Sequence, residues 1–255
     1  MSMRSKERHA RLLDALNGGE IDVDDLARRF DVSASTVRRD LQHLSRTNAV
    51  RRTYGGAILT GPAAETTLEQ RLAVNGSEKQ AIARAALDLI EDGDTLVLDA
   101  GSTVAAFGRL LLQRRLRIIT NNLALLPFLA KAPAIELIVL GGVLRSTSMS
   151  TMGPLASEAL RRMTADRAIM SADGVVGGRG LCEADLEQVA LKSLMMEQSR
   201  EAIVLADASK LGRAEQIAWA PLPSRWTLVT DAGASEEQRR RLAESGARVI
   251  VATPR

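Results

Sequence analysis

Two sets of polar residues in this 255-residue chain have types and spacings that could do chemistry. The first is Ser33, Ser35, Thr36, Arg38, Arg39 and Gln42, followed closely by Arg51, Arg52, Tyr54 and Gly55. Arginine carries a permanently charged planar fork that matches guanine edges and phosphate oxygens. Neighbours on a helix point about 100° apart, so one of Arg38 and Arg39 can read a base while the other holds phosphate. Ser35 and Thr36 are short enough to let a helix N-terminus approach a phosphate. The second set is spread over a longer stretch: Asp99, Gly101, Ser102 and Thr103; Thr120 and Asn121; Gly141 and Gly142; Asp173; Lys192; Asp207 and Lys210. Gly101 permits a tight turn, and the hydroxyls and N–H groups after it can hold a small anion without a lysine. The chain has five lysines against 29 arginines. Lys79, Lys192 and Lys210 are therefore point charges kept where arginine is otherwise preferred.

The elements that must position the first set are two short helices. Val23, Leu26, Ala27 and Phe30 make one apolar stripe, with Asp22 placed to cap its start; Asp31-Val32-Ser33 breaks the pattern. Ser33 caps a second helix whose inward face is Val37, Leu41 and Leu44. The spacing predicts a helix-turn-helix, with Arg51 to Ala57 as a strand, a glycine turn and a return, a basic wing. An earlier helix over Arg8–Asn17, carrying Leu12, Leu13 and Leu16, packs behind the pair. His9 and His43 could reach phosphate there. The bland alternative is a solvated charged face on an ordinary helical pair.

The second set needs a sheet. From Glu78 the pattern alternates: helix Glu78–Ile90, strand Thr95–Asp99, helix Val104–Leu112, strand Arg117–Thr120, helix Leu123–Leu129, strand Ile135–Leu140. Further strands are expected at Arg167–Ser171, Ala202–Ala206, Trp226–Thr230 and Arg248–Val251, with helices at Leu186–Ser199 and Glu236–Ser245. Apolar strands alternating with helices predict a mostly parallel sheet covered on both faces, a Rossmann-like α/β fold. Ligands of such sheets bind beyond the carboxyl ends of the strands, where all five polar clusters fall. Residues 1–57 are thus expected to be a winged helix-turn-helix domain, 58–76 a linker and 77–255 an α/β effector domain.

Charge is distributed to match. Residues 1–60 hold 11 Lys+Arg against 8 Asp+Glu, while the remainder is electroneutral. Between residues 35 and 57 there are five arginines and one aspartate. That places a nucleic-acid footprint at the front of the chain and none behind it. A single cysteine, Cys182, excludes an internal disulfide framework, and no apolar run is long enough to span a membrane. The start of the chain lacks the apolar core of a signal peptide, so a cytoplasmic location is expected. With no histidine after residue 60, neither a metal site nor a cofactor is expected.

Ser33-Ala34-Ser35-Thr36-Val37-Arg38-Arg39-Asp40-Leu41, with the basic Gly-Gly-Ala turn after it, resembles the DeoR-type (GlpR-type) bacterial transcriptional repressors. Tyr54 stands where that family usually has histidine. The rest of the chain is similar to the same family's effector domain, and through it to the sugar-phosphate fold of ribose-5-phosphate isomerase. The matching pieces include Arg71, Asn75, Glu78-Lys79, Asp99 to Thr103, Thr120-Asn121, Gly141-Gly142, Gly153-Pro154, Ala172-Asp173-Gly174, Lys192 and Leu205 to Lys210. Ser171, in a place often taken by glycine, and the loop Gly177 to Cys182 depart from the pattern. The resemblance implies a repressor of a carbohydrate or polyol catabolic operon. It would bind double-stranded operator DNA as a homodimer or homotetramer, with a phosphorylated sugar or polyol setting its affinity. Two other readings compete: an isomerase-like enzyme carrying a DNA-binding appendage, and a DNA binder whose pocket is vestigial.

Overall fold

The computed structural model describes residues 8, 9, 11, 12, 15, 21–46, 50–52, 56–59 and 66–253. Two compact units emerge, Met1–Glu65 and Thr66–Arg255.

In the first unit β1 (Ile21–Asp22) leads directly into α1 (Val23–Phe30), and α2 (Ala34–Arg46) follows. Asp31 turns the chain between the helices with φ 51°, the left-handed region that a short Asp side chain tolerates. Ser33 Oγ accepts from Thr36 N at 3.2 Å, the helix cap read from the sequence. Val23, Leu26, Val37, Leu41 and Leu44 close on Leu12 and Ala15 as one core. The stretch after α2 forms β2 (Val50–Arg52) and β3 (Gly56–Leu59), antiparallel, with β1 on the other side of β3. Asp22, read as a cap, has its backbone paired with Gly56 in that small sheet.

The second unit opens with α3 (Leu68–Ala73) and α4 (Gly76–Leu87). The former lies inside the stretch expected to be a linker. Six residues cannot display a helical period, but Thr67 and Gln70 form a reciprocal capping box that marks its start. Then come β4 (Thr95–Leu98), α5 (Ser102–Gly108), β5 (Leu116–Thr120), α6 (Leu126–Leu129) after a turn of 3-10 helix, and β6 (Ile135–Val139). A hairpin follows, β7 (Val143–Arg145) and β8 (Ser150–Met152), then α7 (Pro154–Leu160) and β9 (Ala165–Met170). The chain continues through β10 (Gly174–Val176), β11 (Gly180–Glu183), α8 (Leu186–Glu197), β12 (Ser199–Leu205) and β13 (Ala218–Ala220). It ends with β14 (Trp226–Asp231), α9 (Glu236–Glu244) and β15 (Ala247–Ala252).

Seven of these strands form one all-parallel sheet in the order β15-β14-β12-β9-β4-β5-β6. Alternate residues feed two cores. Leu96, Leu98, Ile169, Ile203 and Leu205 face α4 and α5; Val97, Ala168, Met170, Ala202 and Val204 face α7, α8 and α9. The predicted helix–strand alternation is this three-layer sandwich. The short antiparallel pieces, β7–β8 and β10–β11–β13, had no legible periodicity, because three- or four-residue strands are too brief to show one. Among the described residues no helix is long and apolar enough to cross a membrane.

The strand order sets the site. From β4 the chain first adds β5 and β6 on one side, then returns to add β9, β12, β14 and β15 on the other. The reversal lies between β4 and β9, the topological switch point where open α/β sheets bind ligands.

Candidate functional site

Beyond the carboxyl ends of β4, β9 and β12 the second unit encloses a cavity of about 220 Å³. Of the residues singled out in the sequence, Gly101, Ser102, Thr103, Asp173, Lys192, Asp207 and Lys210 line it. Gly101 is required by its φ of +135° and because a Cβ there would sit 2.1 Å from Ser171 Oγ. Ser171 is a fastener: its Oγ donates to Ala100 O at 2.8 Å, and its N–H donates to Asp99 Oδ2 at 3.1 Å. The loops after β4 and β9 are thereby tied together, the hydroxyl adding a bond that a glycine at this position could not make. The Ser102 and Thr103 side chains have no hydrogen-bond partner among the described residues, and neither does the Lys210 ammonium.

Five predicted residues do not line the cavity. Asp99 is buried beneath it, donating nothing and accepting from Ala100 N at 2.8 Å, from Ser171 N and from the Lys192 ammonium. Thr120 Oγ1 donates to Leu98 O at 2.7 Å and Asn121 Nδ2 to Thr151 O at 2.9 Å, so both hold loops in place. Gly142 has φ +136°, and a Cβ there would meet Met152 O at 2.4 Å; together with Gly141 it turns the chain into the β7–β8 hairpin. That hairpin roofs the exits of β5 and β6, with Leu123 N bonded to Met149 O at 3.0 Å. The expectation of one cleft gathering five strand ends is therefore corrected to three adjacent ones.

The cavity's other walls were outside the predicted site, although Arg71 and Asn75 were among the residues that carried the family resemblance. Gln70, Arg71, Val74 and Asn75 come from α3 and the turn after it, and Glu183 from β11. Lys79 lines it too, but its ammonium donates to the carbonyls of Arg71 and Val74 (2.6 Å for the latter), sealing the end of α3. Burial holds that ammonium below its ordinary pKa, with Asp207 pulling the other way.

The deepest feature is a charge cluster. Lys192, 3% exposed, donates to Asp99, to Ser171 O at 2.6 Å and to Glu183 Oε1 at 3.0 Å. Burial works against its charge, but the two carboxylates outweigh that and hold its pKa above the ordinary value. Burial pushes Glu183 up to about 7, against the pull of Lys192. The remaining carboxylates are also engaged: Asp173 with Arg71 Nη1 at 3.4 Å and Gln216 Nε2 at 3.3 Å, Asp207 with Asn75 Nδ2 at 3.1 Å and with Ser209.

On the first unit, α2 presents Ser35, Arg38, Arg39 and Gln42 to solvent, with Thr36 half-buried. Neither guanidinium has an ion-pair or hydrogen-bond partner among the described residues. Ser33 Oγ instead sits 2.8 Å from both Ser35 Oγ and Thr36 Oγ1, ordering the first turn. Arg51 and Arg52 fall in β2, whereas Tyr54 and Gly55 lie outside the described residues. His9, considered for phosphate, is bonded to Asp40 Oδ1 at 2.9 Å, and Arg8 forks onto the same carboxylate. Asp40 thus ties Arg8 and His9 to α2.

A winged helix-turn-helix unit on one chain with an α/β unit whose cavity lies at the sheet's switch point defines a DNA-binding regulator with a sensor domain. Residues 8–62 match the DeoR-like helix-turn-helix domain, and residues 74–232 match the DeoR C terminal sensor domain. The chain is 33% identical to the HTH-type transcriptional repressor CsqR of Escherichia coli, over 96% of this chain and 94% of that protein. It is 31% identical to the glycerol-3-phosphate regulon repressor of the same species, over 90% and 92%. Ribose 5-phosphate isomerase A from Methanocaldococcus jannaschii superposes with a TM-score of 0.39 at 23% identity, over 53% of this chain and 54% of that one. This chain belongs to the DeoR family of transcriptional regulators.

Proposed function

We propose that the protein is a cytoplasmic repressor of a carbohydrate or polyol catabolic operon. As a homodimer or homotetramer it grips double-stranded operator DNA through α2 and the wing. A phosphorylated sugar or polyol in the cavity sets the strength of that grip. The observation that carries this reading is the cavity's lining. The Ser102 and Thr103 hydroxyls and the Lys210 ammonium have no other partner among the described residues, and they share one wall system with Arg71, Asp173 and Asp207. Free donors suit a phosphoryl group, and mixed donors and acceptors suit the hydroxyls of its carrier. A glycerol-3-phosphate regulon repressor among the relatives supports the same ligand class.

One observation favours the isomerase-like alternative: Glu183, near neutrality, has the poise of an acid–base catalyst. Against it, Glu183 and Asp99 both face Lys192, and Asp173 and Asp207 are bonded to the protein's own donors. The regulator reading needs no catalytic residue.

The test uses the full chain and a duplex from upstream of its own transcription unit. Binding should weaken steeply with salt, and a panel of triose, pentose and hexose phosphates should contain one that changes affinity about 5–150-fold. The double substitution Ser102→Ala, Thr103→Val should abolish that response. A duplex ignored even in dilute buffer, or turnover of any sugar phosphate, would overturn the reading.

A further inference from the structure

Arg71 is the one strongly cationic side chain that α3 sends into the cavity, and its bonding is incomplete. Among the described residues only Nη1 has a partner, Asp173 Oδ1, at the long distance of 3.4 Å. Nε and Nη2 are buried with no hydrogen-bond partner among the described residues. Charge-assisted arginine–carboxylate contacts ordinarily close to about 2.7–2.9 Å and engage two donors. Buried donors without acceptors raise the free energy of the state that holds them, so the arrangement favours anything that brings oxygens to both.

The helix that carries Arg71 is tied to the sensor unit at both ends. Leu68 is buried and its N–H donates to Thr147 O at 2.8 Å, while Lys79 grips the Arg71 and Val74 carbonyls at the other end. It is the first helix after the boundary at Glu65, hence the first part of the sensor unit that the chain enters on leaving the DNA-binding unit.

We infer that Arg71 reads the hydroxyl-bearing end of the effector and passes its occupancy to α3. Two adjacent oxygens of a sugar or polyol accept from Nε and Nη2, the guanidinium moves off Asp173, and the freed Asp173 carboxylate accepts from a ligand hydroxyl. Because Arg71 O is also a Lys79 acceptor, a shift of this residue changes the bonding at the end of α3. The inference rests on the phosphorylated-sugar reading above and adds to it which residue couples ligand to DNA.

The experiment compares the full-length wild type with Arg71→Lys, which keeps the charge beside Asp173 and removes the fork. Arg71→Gln carries the same measurements if the lysine variant does not fold by circular dichroism. Probes are inorganic phosphate and the panel of triose, pentose and hexose phosphates, with thermal shift reporting binding and operator affinity reporting response. The expected result is that the effective sugar phosphate loses ten-fold or more in affinity relative to inorganic phosphate. At saturating probe, the operator response should shrink to within two-fold of none. If the variant binds and responds as the wild type does, or binds weakly yet responds fully at saturation, the inference is overturned and the regulator reading stands. If the wild type itself responds to no probe, both fall together.

Discussion

Each unit of this protein contains a three-member polar cluster built around one buried charge, and that central charge has opposite sign in the two. In the first, one acid is shared by two donors: Asp40, 6% exposed, accepts from the Arg8 guanidinium and the His9 ring. In the second, one cation is shared by two acids: Lys192 faces Asp99 and Glu183. Burial opposes the Asp40 charge, but its two partners outweigh burial and hold the carboxylate below its usual range. Lys192 is likewise kept charged, yet it cannot satisfy both acids: Asp99 also receives two backbone N–H groups, while burial pushes Glu183 up to about 7. Sharing an acid between an arginine and a second donor gives a fastener that stays ionised near neutrality. Sharing a cation between acids leaves one acid able to titrate there.

The hardest test of this contrast is to remove the shared cation. Lys192→Met should cost about 3–5 kcal/mol at pH 8, because two carboxylates are then buried without a counter-charge. The loss should be smaller at pH 5, where Glu183 is neutral. Urea unfolding at the two pH values measures it, and equal losses would mean that Glu183 does not titrate in this range.

A smaller effect comes from Glu183 itself. Its folded pKa, about 7, lies above its ordinary 4.5. Between those values the native state holds a proton that the unfolded chain has released, so this stabilisation is complete below pH 4.5 and is lost as pH rises through 7. The wild type should therefore lose at most about 3 kcal/mol across that window, and Glu183→Gln should flatten the slope. An unchanged slope in the variant would assign the pH dependence to another group.

The smallest change is expected on the other side of the comparison. Asp40→Asn should cost about 1–2 kcal/mol near neutrality, since it removes charge from bonds that an amide can partly retain. Because the Asp40 carboxylate is held below its usual range, its contribution is present above that range and is lost as pH falls through the folded value. The variant and wild type should therefore converge in acid. Denaturation of the first unit, followed beside operator binding, checks both points.

How much of this was legible differs between the units for a physical reason. The helix-turn-helix is a local object: its stripes at Val23 and Leu26 and at Val37 and Leu41, its Ser33 cap and its arginines are neighbours in the chain as well as in space. Asp40 is the exception, since nothing in the spacing announced that Arg8 and His9 would converge on it. In the sensor unit the loops after β4, β9 and β12 were readable as strand ends, but so were those after β5 and β6. Thr120, Asn121, Gly141 and Gly142 carry the same residue types, yet Thr120 ties β5 to the end of β4 and the other three serve the hairpin. Arg71 and Asn75 entered only through the family resemblance and Glu183 not at all: they sit on a six-residue helix, a turn and a four-residue strand, all below the length at which periodicity shows.

The order of residues was enough to determine the existence of the two units, the alternation of apolar strands and helices, the basic face of α2 and the chemistry available at each loop. Those follow from periodicity, capping and charge, which act over a few residues. Only the tertiary structure decided that β4, β9 and β12 lie side by side, that α3 closes the resulting cavity, and that Lys192 stands between two acids. Strand order and charge pairing depend on contacts between residues scores of positions apart, and no local pattern encodes which strand end becomes whose neighbour.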